Sequence, residues 1–232
     1  MRKLALQLFS HRSLAVLRWD VHFMLLRLKN ALTGQRGKVR RFLAGRGDPV
    51  YLNLGSGPRG LDSAHWVNID GFRDRNVHFV LDFSRGLPFP DGSFDGVFCE
   101  HVIEHFTYED ASQLCAEIAR ILKPGGVLRI VVPDAERVVR SYIDNPAALI
   151  AYRGTPGLTA MQVLNDFFRQ RYEHQFLFDW ETMLRMLGET GFAQAARCEL
   201  RAGRCQALLI DDEKYGWESL YAEATKGHAA IP

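Results

Sequence analysis

The sequence predicts an α/β fold in which an open, doubly wound and mostly parallel sheet is finished by an antiparallel C-terminal hairpin strand. Three observations predict it. Residues 50–54 (VYLNL) form a β-compatible apolar run that stops at Gly55-Ser56-Gly57-Pro58, the pattern of a buried strand ending in a turn that needs glycine. Further short apolar runs follow at residues 66–70, 77–81, 94–99 and 127–132, as in successive strands of one sheet. Between the last two, Ala111, Leu114, Cys115, Ile118 and Leu122 recur at helical spacing.

Length and composition allow one sizeable core: the chain has 232 residues, 47% of them hydrophobic, which suits a single α/β domain with appendages. The reading divides it into residues 1–49, a basic amphipathic helix and linker, 50–211, the main domain with an insertion at 144–179, and 212–232, a helical tail. Cys99, Cys115, Cys198 and Cys205 form no Cys-x-x-Cys pair, which fits a reduced, cytoplasmic protein better than a disulfide scaffold or zinc module. Residues 1–49 hold eleven Lys/Arg against Asp20 and Asp48, about +9, leaving the remainder at about −7.

In chain order, residues 1–11 do not read as a secretory signal: the apolar run is short and Arg12 and Arg18 follow closely. Leu14, Leu17, Val21, Met24, Leu25, Leu28 and Leu32 then form a helical stripe, with Arg18, His22 and Lys29 mostly off it. Such a stripe is expected to pack on the core. A basic amphipathic helix can instead lie on an anionic membrane surface, so peripheral contact at the inner face of the membrane through residues 1–32 stays open. Residues 33–49 are Gly- and Arg-rich and read as a linker.

The glycine turn after the first strand offers backbone N–H groups at the sheet's carboxyl edge, where α/β proteins bind ligands. Gly55, Gly57 and Gly60 also fit G-x-G-x-x-G, a weak signal alone. Six residues from Gly60 to His65 would cover only about 9 Å as helix, against a strand of about 17–20 Å. The first crossover is therefore expected to be extended, without the pyrophosphate-binding helix of nicotinamide or flavin enzymes. Asp70 ends the second strand, where an acid can accept hydrogen bonds from ribose hydroxyls. Asp82 closes the third.

From residue 50 to 132 the chain resembles the class I S-adenosylmethionine-dependent methyltransferases, most closely their type 11 group, whose fold is Rossmann-like. LNLGSG looks like their first motif, LPFPDGSFD precedes the fourth strand, HVIEH follows it, and LKPGG precedes the fifth. The resemblance implies S-adenosylmethionine as cofactor, held by Asn53, Gly55, Ser56, Gly57, Asp70, Asp82, Phe83 and Glu100. Asn53 stands where many members carry an acid. The family also implies an acceptor-covering insertion with His174, Tyr172 and Arg171 on the substrate side, and suggests a saccharide or lipid-linked glycan hydroxyl as acceptor.

His101-Val102-Ile103-Glu104-His105 also fits H-x-x-E-H, an inverted zinc-peptidase motif. Its place directly after a strand, with Thr107 as N-cap of the next helix, speaks against that reading, and no metal is expected. A hydroxyl acceptor would need a general base, for which His101, His105, His174 and Asp134 are candidates; Asp134 equally suits a helix cap. Asp179 is expected to cap a helix through Leu187, residues 193–200 and 206–210 to form the hairpin, and Trp217, Leu220, Tyr221 and Ala224 to lie on a last helix. A nicotinamide oxidoreductase and a zinc hydrolase are disfavoured, and a non-catalytic cofactor-binding module stays open. The basic stretch lacks the interleaved aromatics of a single-strand platform, so no nucleic-acid partner is expected.

Overall fold

The computed structural model describes residues 10–227; the signal-peptide reading and the first part of the membrane-contact reading fall on residues outside these. Helices α1 (His11–Leu32) and α2 (Gln35–Ala44) precede strands β1 (Tyr51–Leu54), β2 (Trp66–Asp70), β3 (Phe79–Val80) and β4 (Phe94–Glu100). Then come α3 (Tyr108–Ile121), β5 (Leu122–Pro133), α4 (Ala135–Asp144), α5 (Pro146–Arg153), α6 (Ala160–Arg169), α7 (Trp180–Glu189), β6 (Phe192–Cys198) and β7 (Ser219–Lys226). The sheet order is β3-β2-β1-β4-β5-β7-β6. Pairings from β3 to β5 are parallel, and β7 runs antiparallel to both neighbours. The order reverses between β1 and β4, which opens a crevice at their carboxyl ends.

One face of the sheet presents Leu52, Leu54, Ile69, Val97, Ile130 and Val132 to Leu114 and Ile118 of α3 and Met183 and Leu187 of α7, all buried in one cluster. On the other face Trp66, Phe98, Val131 and Tyr221 meet Leu208, Leu200 and Ile210. Helices α5 and α6 lie within residues 144–179, and with α4 they share a core of their own: Val138, Leu149, Val163 and Phe167. Thr107 and Asp179 cap α3 and α7 through their side chains, as the sequence predicts. The first crossover holds a single 3-10 turn, Gly57–Arg59, in place of a helix.

Four expectations need correction. The last strand is β7, inside the expected helical tail, while residues 206–208 form a 3-10 turn. Leu220, Ala222 and Ala224 alternate onto one buried face, and Glu223 is buried on the other because Arg129 of β5 meets it there, so the strand shows no polar face. Residues 35–44 are helical where a linker was expected, since Val39 is buried and Phe42 and Leu43 pack against the core. LKPGG belongs to β5, with Leu122 already paired to Phe94 across a register shift. Finally, the apolar stripe of α1 is not the face that packs. Leu17, Val21, Met24, Leu25, Leu28 and Leu32 are 42–78% exposed, whereas Phe23, Leu26, Arg27 and Asn30 face the sheet.

Candidate functional site

The crevice starts at the β1 turn. Gly55 and Gly57 take φ +75° and +48°, the left-handed region that favours glycine. A side chain on Gly55 would collide with Val102, whereas one on Gly57 would meet open space. The turn is held by Gly55 and Ser56 N–H groups donating to Ile69 O at 2.9 and 3.0 Å. Gly57 N–H donates to Asp70 Oδ2 at 2.8 Å, and Phe72 N–H to Asp70 Oδ1 at 2.8 Å. Ser56 Oγ is buried and has no hydrogen-bond partner among the described residues. An orphaned hydroxyl beside backbone open to close approach fits a polar cofactor at this turn.

The other sequence-predicted cofactor residues surround it. Asn53 is buried within β1. Asp82, at the end of β3, accepts from Ser84 N–H at 3.0 Å and from Arg27 of α1 at 2.7 Å, and Phe83 beside it is buried. Helix α1 thus closes over the β2 and β3 tips, where Phe23 also packs on Gly71 and His22 Nε2 bonds Gly71 O at 2.9 Å. Glu100, at the β4 tip, accepts from Arg59 and from Asp212 N–H, the latter at 3.0 Å. Arg59 was not read from the sequence. Its partners lie 41 residues away at Glu100 and still further along the chain at Asp212, which caps a 3-10 turn at Glu213–Tyr215, so no local pattern marks it.

Beyond β4 lies a second group. His101, in the left-handed region at φ +53°, has Nδ1 3.0 Å from Glu104 Oε1 and Nε2 3.2 Å from Ser219 Oγ. Burial works against a charged His101, but its hydrogen bond to Glu104 outweighs this and the pKa lies above the usual histidine value. Burial likewise opposes the Glu104 carboxylate, and the bond from His101 wins and holds it below the usual range. His174 is pushed down by burial and Glu218 up by burial. His101, Glu104, His105, His174, Tyr215 and Glu218 line a cavity of about 170 Å³ at the edge of β4 and β5.

Three of the four candidate bases, His101, His105 and His174, are therefore brought together. Asp134 is not among the cavity's lining residues: Oδ1 caps α4 by accepting from Arg137 N–H at 3.0 Å and Oδ2 accepts from Arg197 at 2.8 Å. Tyr172 and Arg171 are exposed and also absent from the lining. Sequence reading missed Glu104, Glu218 and Tyr215; Glu104 stood inside the quoted HVIEH run, and its i,i+3 spacing to His101 was the available signal.

Residues 61–130 match the family model described as "Methyltransferase domain", of the type 11 group. The ubiquinone/menaquinone biosynthesis C-methyltransferase UbiE of a Marinomonas species is 31% identical over 134 residues, 55% of this chain and 50% of that protein. Methyltransferase GfsG of Streptomyces halstedii is 37% identical over 84 residues, 36% of this chain and 28% of that protein. The chain spans about half the length of the UbiE relatives it matches. In fold it is similar to a chain of the complex between the Haloferax volcanii Trm112 methyltransferase activator and a methyltransferase, with a TM-score of 0.50 at 15% identity, covering 86% of this chain and 97% of that one. With its ordered motifs and sheet order, the chain carries a methyltransferase domain similar to the type 11 group of the class I S-adenosylmethionine-dependent methyltransferases.

Proposed function

We propose that this chain transfers the methyl group of S-adenosylmethionine to a small-molecule acceptor seated in the cavity beside His101. The observation that carries this reading is the Gly55-Ser56-Gly57 turn fastened to Asp70, with a buried hydroxyl at Ser56 awaiting a partner. When bound, the cofactor supplies a methyl carbon already made electrophilic by its sulfonium. The work left to the protein is alignment and exclusion of water. Asp70 would accept from the ribose hydroxyls, Asp82 and Phe83 would flank the adenine, and Asn53, Ser56 and Glu100 with its Arg59 would face the amino-acid end.

For the acceptor, we infer a hydroxyl of a saccharide or lipid-linked glycan presented at a membrane surface. The exposed apolar stripe of α1 and the basic N-terminal region support it. Among the described residues no helix is long and apolar enough to cross a membrane, so the contact would be peripheral. The UbiE relatives, by their name C-methyltransferases of quinone biosynthesis, favour a second reading, a carbon acceptor on a lipophilic ring. Product NMR separates an O-methyl from a C-methyl group.

The test of the cofactor is a thermal-shift titration with S-adenosylhomocysteine, with NADH in parallel, on the wild type and Asp70→Ala. At about 100 times its dissociation constant the ligand adds about 2.7 kcal/mol. A homocysteine-ligand shift that Asp70→Ala loses is expected; a shift with NADH alone would overturn the reading.

A further inference from the structure

We propose that Glu104, His105 and His174 form a site for one divalent transition-metal cation in the wall of the acceptor cavity. One donor atom from each residue lies within 4.8 Å of the other two. Hydrogen bonding fixes which imidazole nitrogens are free. His105 Nδ1 lies 3.1 Å from Glu173 O and His174 Nδ1 2.6 Å from Phe167 O. A carbonyl can only accept, so each Nδ1 carries the proton and each Nε2 keeps its lone pair, the arrangement of metal-binding imidazoles.

The carboxylate supplies the second, independent observation. Glu104 is fully buried; Oε1 meets His101, while Oε2 has no hydrogen-bond partner among the described residues. A buried carboxylate oxygen left unpaired is costly, and a bound cation would remove that cost. A purely structural role, with each residue satisfied by its neighbours, accounts for both Nδ1 atoms but leaves Oε2 unexplained.

The backbone is built to hold the cluster. Gln175 and Phe176 N–H groups both donate to Glu104 O, at 2.8 and 3.2 Å, and the Gln175 side chain donates to His105 O at 2.7 Å. Just before His174, three successive non-glycine residues, Gln170, Arg171 and Tyr172, take φ of +34°, +56° and +77°. Such backbone is strained and persists only where the surrounding structure holds it in place.

Two neutral imidazoles and one carboxylate suit Zn²⁺, Co²⁺, Fe²⁺ or Mn²⁺ and leave coordination positions free. Glu104, His105 and His174 all line the cavity that Glu218 also lines, from which water or an acceptor oxygen would complete the coordination. His101 supports the carboxylate without being a ligand, so the H-x-x-E-H run contributes one glutamate and one histidine, and the second histidine comes from the insertion. The role at the acceptor rests on the methyltransferase reading; the metal binding does not.

The experiment uses the full chain stripped with a chelator and titrated with Co²⁺, followed by its visible absorption, and with Zn²⁺ by calorimetry. One ion per chain is expected, with binding weakened roughly hundredfold or more in His105→Asn and in His174→Asn, and unchanged in His65→Asn. His105 is only part-buried, so His105→Asn keeps the test alive if His174→Asn fails to fold. Absence of saturable binding to the wild type, or binding unaffected by His105→Asn, overturns the site. Wild type that binds S-adenosylhomocysteine but no metal refutes this site alone; metal uptake without homocysteine-ligand binding refutes the methyltransferase reading alone.

Discussion

Arg129 of β5 donates through Nε to Asp211 Oδ1 at 2.6 Å, and both side chains are completely buried. The other four guanidinium hydrogens go to Asp211 Oδ2, Ala202 O, Glu199 O and Glu223, at 2.5, 3.0, 3.0 and 3.3 Å. One cation thus ties the 199–211 segment and β7 to the central sheet. That segment also supplies the Asp212 N–H that holds Glu100 at the crevice.

Removing Arg129 leaves the buried Asp211 and Glu223 carboxylates without their cation, and breaking a buried pair in this way costs about 3–5 kcal/mol. Arg129→Met should therefore lower the urea midpoint sharply, and Asp211→Ala should lower it by less, because Glu223 still pairs with the arginine. The double variant should lose less than the sum of the two. Additive losses in this cycle would mean the two residues act separately.

Gly55→Ala meets two obstacles at once. Its φ of +75° disfavours any L side chain, by roughly 1–2 kcal/mol, and the new methyl would run into Val102, an overpacking cost of roughly 1–3 kcal/mol. Adding Val102→Ala should relieve the second and leave the first. The single variant should bind S-adenosylhomocysteine at least about tenfold more weakly, a change of about 1.4 kcal/mol, since a shifted turn displaces Ser56 and the Asp70 carboxylate fastened to it. Unchanged affinity in calorimetry would separate the turn from the cofactor.

Local chemistry was the legible part of the sequence. The β1 turn, the acid at Asp70 and the caps at Thr107 and Asp179 depend on residues within a few positions, and all stand where expected. Long-range pairing was not legible. β7 hides its period of two because Arg129, the one charge within the run 127–132 of β5, pairs with the buried Glu223. α1 carries two apolar stripes, and nothing local says that Phe23 and Leu26 would meet the sheet instead of Leu25 and Leu28. At the site, the histidines were visible as residue types, but their meeting depends on a segment about 70 residues downstream folding back onto Glu104.

His78 should make stability pH-dependent in a defined direction. Its Nδ1 accepts the Asn68 N–H at 2.9 Å, which requires the neutral ring. Burial first, and Arg46 second, hold its pKa below the usual histidine value, with Asp62 opposing. The unfolded chain takes up this proton near pH 6.5, whereas the folded chain resists until a lower pH. Stability from this group is therefore present above about pH 6.5 and is lost as pH falls toward the folded value. His78→Gln offers a non-titrating acceptor, so urea unfolding should show a flatter dependence between about pH 7 and 5 in the variant; equal slopes would remove His78 as the cause.

The exposed stripe of α1 should bind anionic vesicles. Met24, Leu25 and Leu28 are each more than half exposed, and burying a side chain of that size yields roughly 1.5–3 kcal/mol, with about 1 kcal/mol for each cation held near an anionic surface. Arg18 and Lys29 lie on the same helix. Deleting the helix would be a poor test, because Arg27 and Asn30 on its opposite side hold Asp82 and Val80. Leu25→Ser with Leu28→Ser instead removes apolar surface from the solvent side only. Partitioning onto vesicles rich in anionic lipid should fall at least about tenfold, a change of 1.4 kcal/mol, while the melting temperature and S-adenosylhomocysteine affinity stay as they are. Partitioning of the wild type should also weaken with added salt. If the double variant partitions as well as the wild type, the stripe does not meet the membrane, and the lipid-linked acceptor loses its structural support.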